Sequence, residues 1–202
     1  VGSDILEFAS LVSRRPQCRD CVIQNIFTHV ADGENLVREL RDFGIKAAYI
    51  PSIPAEPWSL KPLPEKFSVL AYVPGFRAEF YNYSMIKEVA NKMPDVNFAL
   101  IGGGNQKITT DLPNMTYLGW IEGEERRKRY EESSVLLYMP KHGSLGVICI
   151  EFLQMGRWVI ATGLYPHVFT SSSPETLLGF LTSLREKKEA NIEGSKYYLS
   201  EY

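Results

Sequence analysis

The chain has 202 residues, of which 45% are hydrophobic and 12% aromatic, so it can bury a core and is not a disordered polypeptide. Its formal charge of -2 excludes a general electrostatic attraction to nucleic acid or to an anionic membrane surface. No apolar run approaches the roughly 20 residues that a membrane-spanning helix needs, and we expect no signal peptide. The length favours one ordinary domain, or one domain with part of another.

The first part of the chain predicts a small βαβ segment and then a linker. Residues 22–30 and 46–50 have the pattern of strands, and residues 34–43 have the pattern of an amphipathic helix. Residues 51–64 hold five prolines in fourteen positions, which predicts a stiff, extended connection. We therefore expect the tail of one domain with its linker in residues 1–62, and a second domain in residues 63–202.

Beyond the linker, short apolar runs alternate with helix-like stretches. Strands are predicted at residues 67–73, 97–101, 115–118, 135–139 and 158–161, and helices at 84–93, 123–134, 145–155 and from 173 onward. Continuously apolar strands that alternate with helices form a parallel sheet covered by helices on both faces. The predicted fold class is therefore α/β, a Rossmann-like sheet that binds ligands at the carboxyl ends of its strands.

Three loops are predicted at that edge of the sheet. They are residues 74–81, which contain Arg77, then Gly102–Gly104, and then residues 141–146. The third loop opens an apolar helix, whose free N–H groups and positive dipole end suit a phosphate. Ser144 and Gly146 allow close approach of the backbone, and Lys141 and His142 add positive or hydrogen-bond-donating groups.

Glu151 is unusual because it lies inside that apolar helix, in the sequence of residues 147–153. An ionised carboxylate is costly to bury unless it is paired or hydrogen-bonded. One interpretation is a glutamate at the helix edge, held by a backbone amide or a lysine. The favoured one is a ligand-binding carboxylate that accepts hydrogen bonds from sugar hydroxyls.

The segment Ser144-Leu-Gly-Val-Ile-Cys-Ile-Glu-Phe-Leu-Gln-Met-Gly156, followed by a hydrophobic strand, resembles the donor-site signature of retaining GT-B glycosyltransferases. The closer likeness is to the group 1, family 4-like enzymes, which include many lipopolysaccharide, capsule and glycolipid glycosyltransferases. Residues 94–104 are similar to that family's preceding strand and glycine turn. Residues 114–120 are similar to the strand whose following loop receives the nucleotide base. The resemblance covers residues 67–161.

The resemblance implies a binding site for a nucleoside diphosphate sugar, with Glu151 on the ribose hydroxyls and Trp120 beside the base. It implies that the diphosphate contacts the two loops that contain Gly102, Gly103, Gly143, Ser144, Leu145 and Gly146. The charge of the leaving group would be stabilised by the helix dipole and by basic side chains, for which the candidates are Arg77, Lys141 and His142. No metal and no cofactor besides the sugar donor is expected.

Two positions depart from the family pattern. The family's first glutamate, eight positions before the second, corresponds to Gly143, so a usual contact to the donor sugar is missing. The lysine of the family's basic pair is expected where this chain has Phe80, Tyr81 and Asn82. Arg77 would supply one member of the pair, and Lys141 is the candidate for the other.

These features favour a glycosyltransferase that passes a sugar, with retention, to a glycan or lipid-linked acceptor. This chain would be mainly the donor-binding half, partnered by an amino-terminal domain that is not present in full. The resemblance implies a cytoplasmic location, with peripheral membrane contact as an open alternative. Two other functions stay open: a non-catalytic subunit that binds nucleotide sugars, and a doubly wound interaction module that binds no nucleotide.

Two weaker motifs each have a functional and a purely structural interpretation. Cys18 and Cys21 fit half of a zinc site or a redox pair, but equally two loop thiols in a reducing compartment. The basic run of residues 126–129 fits a nucleic-acid or lipid-headgroup patch. Because glutamates flank the run at helical spacing, a solvated, ion-paired helix face is favoured.

Overall fold

A computed structural model describes residues 13–14, 29–104 and 107–202. Their contacts form two compact units. The first takes in the described residues up to Ile53 together with His142–Gly146, and the second takes in Pro54–Lys141 and Val147–Tyr202. A domain boundary at residue 62 stays a prediction. Cys18, Cys21 and most of the strand predicted at residues 22–30 lie outside the described residues.

The first unit contains strand β1 (His29–Ala31), helix α1 (Glu34–Asp42) and strand β2 (Ala47–Tyr49), and the two strands pair in parallel. The helix buries one face, as the sequence predicts. Leu36 packs with Ala31, and the partly buried side chains of Val37, Leu40 and Phe43 cover this small core.

The second unit is built on a six-stranded sheet, which confirms the predicted α/β fold class. Its strands run in the order β5-β4-β3-β6-β7-β8, and every neighbouring pair is parallel. They are β3 (Ser68–Tyr72), β4 (Asn97–Ile101), β5 (Met115–Gly119), β6 (Val135–Tyr138), β7 (Trp158–Ala161) and β8 (Phe169–Thr170). The sequence does not predict β8, because an edge strand of two residues has no readable periodicity.

Helices flank the sheet. They are α2 (Tyr83–Lys92), α3 (Gly123–Glu131), α4 (Val147–Gln154), α5 (Pro174–Lys187) and α6 (Ile192–Glu201). Helix α2 packs against α5, and α4 packs against α6. The sequence predicts residues 74–81 as a loop, but Gly75–Tyr81 forms a 3₁₀ helix. Within the described ranges, no helix combines the length and the apolarity needed to cross a bilayer.

Within the second unit, a buried guanidinium holds the linker residues that follow Ile53. Arg157 is 1% exposed, and it donates hydrogen bonds to the carbonyl oxygens of Lys61 and Glu131, both at 3.1 Å. Burial lowers the pKa of Arg157 to about 10, so the side chain stays charged at neutral pH. Beside it, Gly156 has a φ of 73° and lies so close to Leu60 that a Cβ there would be 2.4 Å from that side chain. The linker therefore has a fixed place on α4 and α3.

Arg157→Met tests this docking. The variant leaves two partly buried carbonyl groups without these donors and removes the charge of a buried side chain, so we expect urea unfolding to show a loss of about 2 kcal/mol in the free energy of unfolding. Arg185→Met is the matched control, because Arg185 pairs with Asp95 at the surface and such pairs contribute at most about 1 kcal/mol. Equal losses in the two variants would contradict a structural role for Arg157.

Candidate functional site

Glu151 is a carboxylate buried inside an apolar helix, as the sequence indicates. It is 4% exposed, and Cys149, Ile150, Phe152 and Leu153 around it are also buried. The hydroxyl of Tyr130 donates a hydrogen bond of 3.0 Å to Glu151 Oε2. Arg126 Nη1 lies 3.6 Å from Oε1, which is an ion-pair distance but too long for a hydrogen bond. The buried charge is therefore partnered on one oxygen and only loosely compensated on the other.

Helix α3 supplies both partners because Arg126 and Tyr130 are four residues apart and share one face of the helix. The Tyr130 ring packs against Phe152 of α4, with 4.7 Å between ring centroids. Burial raises the pKa of the Tyr130 phenol, and the charge of Glu151 raises it further. The phenol therefore stays protonated and keeps its role as a hydrogen-bond donor.

Glu151 lines a cavity of about 380 Å³ in the second unit, which we call the Glu151 cavity. This volume lies within the range of small-molecule sites. Trp58 forms an aromatic wall, since its ring packs 5.3 Å from Tyr130 and the guanidinium of Arg127 lies 5.1 Å from its centroid. The lining residues are Ala55, Glu56, Pro57, Trp58, Ser59, Lys61, Arg126, Arg127 and Glu151. A carboxylate with spare acceptor capacity beside an aromatic wall suits a polyhydroxylated ligand.

The loops after β3 and β4 meet at the carboxyl edge of the sheet. Gly75 N–H donates to the Gly103 carbonyl at 3.2 Å. A Cβ on Gly102, whose φ is 153°, would lie 2.6 Å from Pro74 N, so only glycine fits there. Trp120 is 63% exposed and borders Gly103, because a Cβ on that glycine would lie 3.5 Å from the indole. The structure thus brings together three of the residues that the resemblance implies.

Arg77 and Lys141, the two candidates for the basic pair, meet at Phe80. The Arg77 guanidinium lies 4.7 Å from the centroid of the Phe80 ring. The backbone N–H of Lys141 donates to the Phe80 carbonyl at 2.8 Å, and the side chain of Lys141 is exposed. Both residues therefore belong to the same edge of the sheet, although they lie 64 positions apart in the sequence.

The loop of residues 142–146 belongs to the first unit, where side-chain hydrogen bonds hold it. Ser144 Oγ donates to Asp32 at 2.8 Å, and Asn35 donates to the Gly143 carbonyl at 3.1 Å. His142 Nε2 lies 2.7 Å from Glu39. Gly143 has a φ of 142°, a backbone conformation that favours glycine over the glutamate of the family pattern. Leu145 is buried and Gly146 is half-buried. The ligand contacts expected of His142, Gly143, Ser144, Leu145 and Gly146 stay predictions.

Sequence reasoning missed Trp58, Arg126 and Tyr130. The basic run of α3 is predicted as an ion-paired surface, and Arg129 does pair with Glu125 at 3.0 Å. Arg126 instead turns toward α4. Its position four residues before Tyr130, the one buried residue of α3, could have indicated this, because residues at that spacing share a helix face. The sequence does not indicate that Trp58 lines the site, because its position depends on how the proline-rich segment packs.

A second cavity, of about 460 Å³, lies around Trp158 and is called the Trp158 cavity. Trp158 is the first residue of β7, so this cavity is at the amino edge of the sheet, opposite the edge where such folds bind ligands. Its polar groups bond within the protein. The indole N–H donates to the Glu189 carbonyl at 2.7 Å, Lys187 lies 5.2 Å from the ring, and Asn191 donates to the His167 carbonyl. The Glu151 cavity is therefore the candidate site.

No protein-family model and no curated protein matches this chain in sequence. Solved structures do match in fold. TarM superposes with a TM-score of 0.71 at 13% identity over 90% of this chain and 42% of TarM. Sucrose-phosphate synthase from Thermosynechococcus elongatus gives 0.69 at 15% identity over 93% of this chain and 57% of that one. The C-terminal domain of the group 1 glycosyl transferase LpcC from Francisella tularensis gives 0.50 at 14% identity, over 68% and 86%.

The chain has the Rossmann-like fold of GT-B glycosyltransferases. It spans about half the length of TarM and of sucrose-phosphate synthase. The match to LpcC is to a structure of the C-terminal domain alone, and it covers most of that domain.

Tyr130→Phe tests the partnership with Glu151. Removal of the hydroxyl leaves a buried carboxylate without its hydrogen bond, so we expect a loss of about 1–3 kcal/mol in the free energy of unfolding at pH 7. Urea unfolding measures it. Tyr83→Phe is the matched control, because that hydroxyl makes only an exposed bond of 3.4 Å to the Thr109 carbonyl. If Tyr130→Phe were no more destabilising than the control, the hydrogen bond would not be supporting Glu151.

Proposed function

We propose that this chain binds a nucleoside diphosphate sugar and supplies the donor-binding half of a glycosyltransferase. The observation that carries the proposal is Glu151, a buried carboxylate that lines a cavity and has an oxygen without a close hydrogen-bond donor. The 2′ and 3′ hydroxyls of a ribose are adjacent donors, and a carboxylate accepts from both. The Trp58 ring and the Arg127 guanidinium offer flat surfaces for the remainder of the nucleoside.

The diphosphate in this proposal lies at the carboxyl edge of the sheet, near Arg77 and Lys141. The Arg77 guanidinium lies over Phe80, and the Lys141 backbone bonds to the same residue, so both side chains offer positive charge to the diphosphate leaving group without proton transfer. The similarity in fold to S. aureus TarM supports the choice of nucleotide, because TarM was crystallised with UDP, fondaparinux and α-GlcNAc-glycerol. The sugar would pass, with retention, to a glycan or lipid-linked acceptor held by the amino-terminal half.

A second candidate function is a subunit that binds the nucleotide sugar without transferring it. Gly143 favours this alternative, because its φ of 142° suits glycine and the glutamate contact of the family pattern is absent. The full-length protein separates the two functions. Transfer of sugar by the full-length protein, with at least a tenfold loss of kcat in Arg77→Ala or Lys141→Ala, supports the enzyme. Binding without any transfer supports the subunit.

Glu151→Gln is the direct test of the binding site. The amide loses the charge that strengthens two hydrogen bonds to the ribose, each of which contributes about 1.5–3 kcal/mol, so we expect uridine and UDP to bind at least tenfold more weakly. Isothermal titration calorimetry measures both dissociation constants, after a thermal-shift panel of nucleoside diphosphates has identified the preferred base.

The control for that test is Glu125→Gln, which changes an exposed carboxylate of α3 that pairs with Arg129 outside the cavity. Its affinity for UDP is expected to equal that of the unmodified chain. Unchanged affinity in a folded Glu151→Gln variant would contradict the role of Glu151. A thermal-shift panel without any response would favour the interaction module that binds no nucleotide.

A further inference from the structure

Three tyrosines meet in the second unit, and we call Tyr72, Tyr81 and Tyr138 the tyrosine cluster. Tyr72 is the last residue of β3, Tyr138 is the last residue of β6, and Tyr81 ends the 3₁₀ helix. The ring centroids of Tyr72 and Tyr81 are 5.3 Å apart, and each lies 6.0 Å from Tyr138. The sequence motifs assign no role to Tyr72 or Tyr138, and Tyr81 lies in the segment where the family pattern has a lysine.

The tyrosine cluster lies at the topological switch point of the sheet. Strands β3 and β6 are neighbours in the middle of the order β5-β4-β3-β6-β7-β8. From β3 the chain continues to β4 on one side, and from β6 it continues to β7 on the other. Connections that diverge in this way open a crevice at the carboxyl ends of the two strands, and parallel α/β sheets bind ligands there.

The phenol groups of the cluster are neutral hydrogen-bond donors. Burial raises the pKa of Tyr72, of Tyr81 and of Tyr138, so the hydroxyls keep their protons well above neutral pH. Tyr138 lies close enough to the Tyr81 hydroxyl to lower the pKa of Tyr81 against the larger effect of burial. All three side chains are only partly buried, so the cluster is not sealed inside the core.

Arg77 and helix α4 adjoin the tyrosine cluster. The positive charge of Arg77 acts on Tyr81 and lowers its pKa against the larger effect of burial. Phe80, which contacts both Arg77 and the backbone of Lys141, packs 5.5 Å from Tyr81. The Cys149 thiol in the first turn of α4 is close enough to contribute to the raised pKa of Tyr138. Glu151 follows two residues later on the same helix.

We propose that the tyrosine cluster binds the diphosphate of the nucleotide sugar, with its hydroxyls donating to phosphate oxygens where related enzymes use a lysine. This inference rests on the proposed function. Neutral donors that are fixed by packing, with the Arg77 guanidinium beside them, provide directed hydrogen bonds to an anion and leave the charge to the basic side chain. The cluster therefore distinguishes a nucleoside diphosphate from the bare nucleoside, which Glu151 binds alone.

The experiment compares uridine with UDP in Tyr81→Phe, in Tyr138→Phe and in the double variant. Because phenylalanine preserves the ring packing, the variants remove only hydroxyl groups. Titration calorimetry is expected to show UDP binding about tenfold weaker in the double variant, with uridine binding unchanged. Tyr83→Phe is the control, and circular dichroism with a thermal melt shows that each variant is folded.

Several results would overturn the inference. Unchanged UDP affinity in the double variant would show that the hydroxyls do not contact the diphosphate. Equal weakening of uridine and UDP would assign the cluster to the nucleoside or to packing. A loss seen with UDP-sugar but not with UDP would assign it to the sugar. Absence of UDP binding by the unmodified chain would instead overturn the proposed function itself, and this inference with it.

Discussion

The candidate site depends on one interaction, the hydrogen bond from Tyr130 to the buried carboxylate of Glu151. Helix α4 is apolar apart from Glu151 and Gln154 and packs on the sheet, so an unpartnered charge there would be costly. Tyr130 offsets that cost on one oxygen, and Arg126 approaches the other without forming a hydrogen bond. The same pairing joins α3 to α4, and Arg126 and Arg127 of α3 line the cavity together with Trp58. The hydrogen bond from Tyr130 thus stabilises a buried carboxylate whose other oxygen can accept hydrogen bonds from a ligand.

The central pair of strands, β3 and β6, organises the remainder of the binding edge. Their ends position the tyrosine cluster, and the 3₁₀ helix after β3 brings Arg77 and Phe80 to the backbone of Lys141. The linker completes the second unit, because Arg157 holds Lys61 in place and Trp58 becomes a wall of the Glu151 cavity. In the proposed function, the Glu151 cavity therefore binds the nucleoside, and the carboxyl edge of the sheet binds the diphosphate.

Much of the fold could be predicted from the sequence, since continuous apolar runs such as residues 135–138 are typical of strands that helices cover on both faces. The sequence also singled out Glu151 as a candidate site residue, because a charged residue inside an apolar helix is rare. The remaining site features come from long-range packing. Trp58 reaches the cavity only after the proline-rich segment has docked, and Tyr72, Tyr81 and Tyr138 meet only after three separate segments end at the same place. Each of these side chains is ordinary in its local sequence, where a tyrosine at the end of a strand predicts packing alone.

Hydrogen–deuterium exchange with and without UDP locates the ligand without any substitution. If UDP binds in the Glu151 cavity and at the carboxyl edge of the sheet, we expect slower amide exchange in three places: α3, the first turns of α4, and the 3₁₀ helix of Gly75–Tyr81. Residues 187–193, which line the Trp158 cavity, serve as the internal reference and should exchange at the same rate in both states. Protection confined to residues 187–193, or no protection anywhere at saturating UDP, would contradict the assignment of the Glu151 cavity as a nucleotide site.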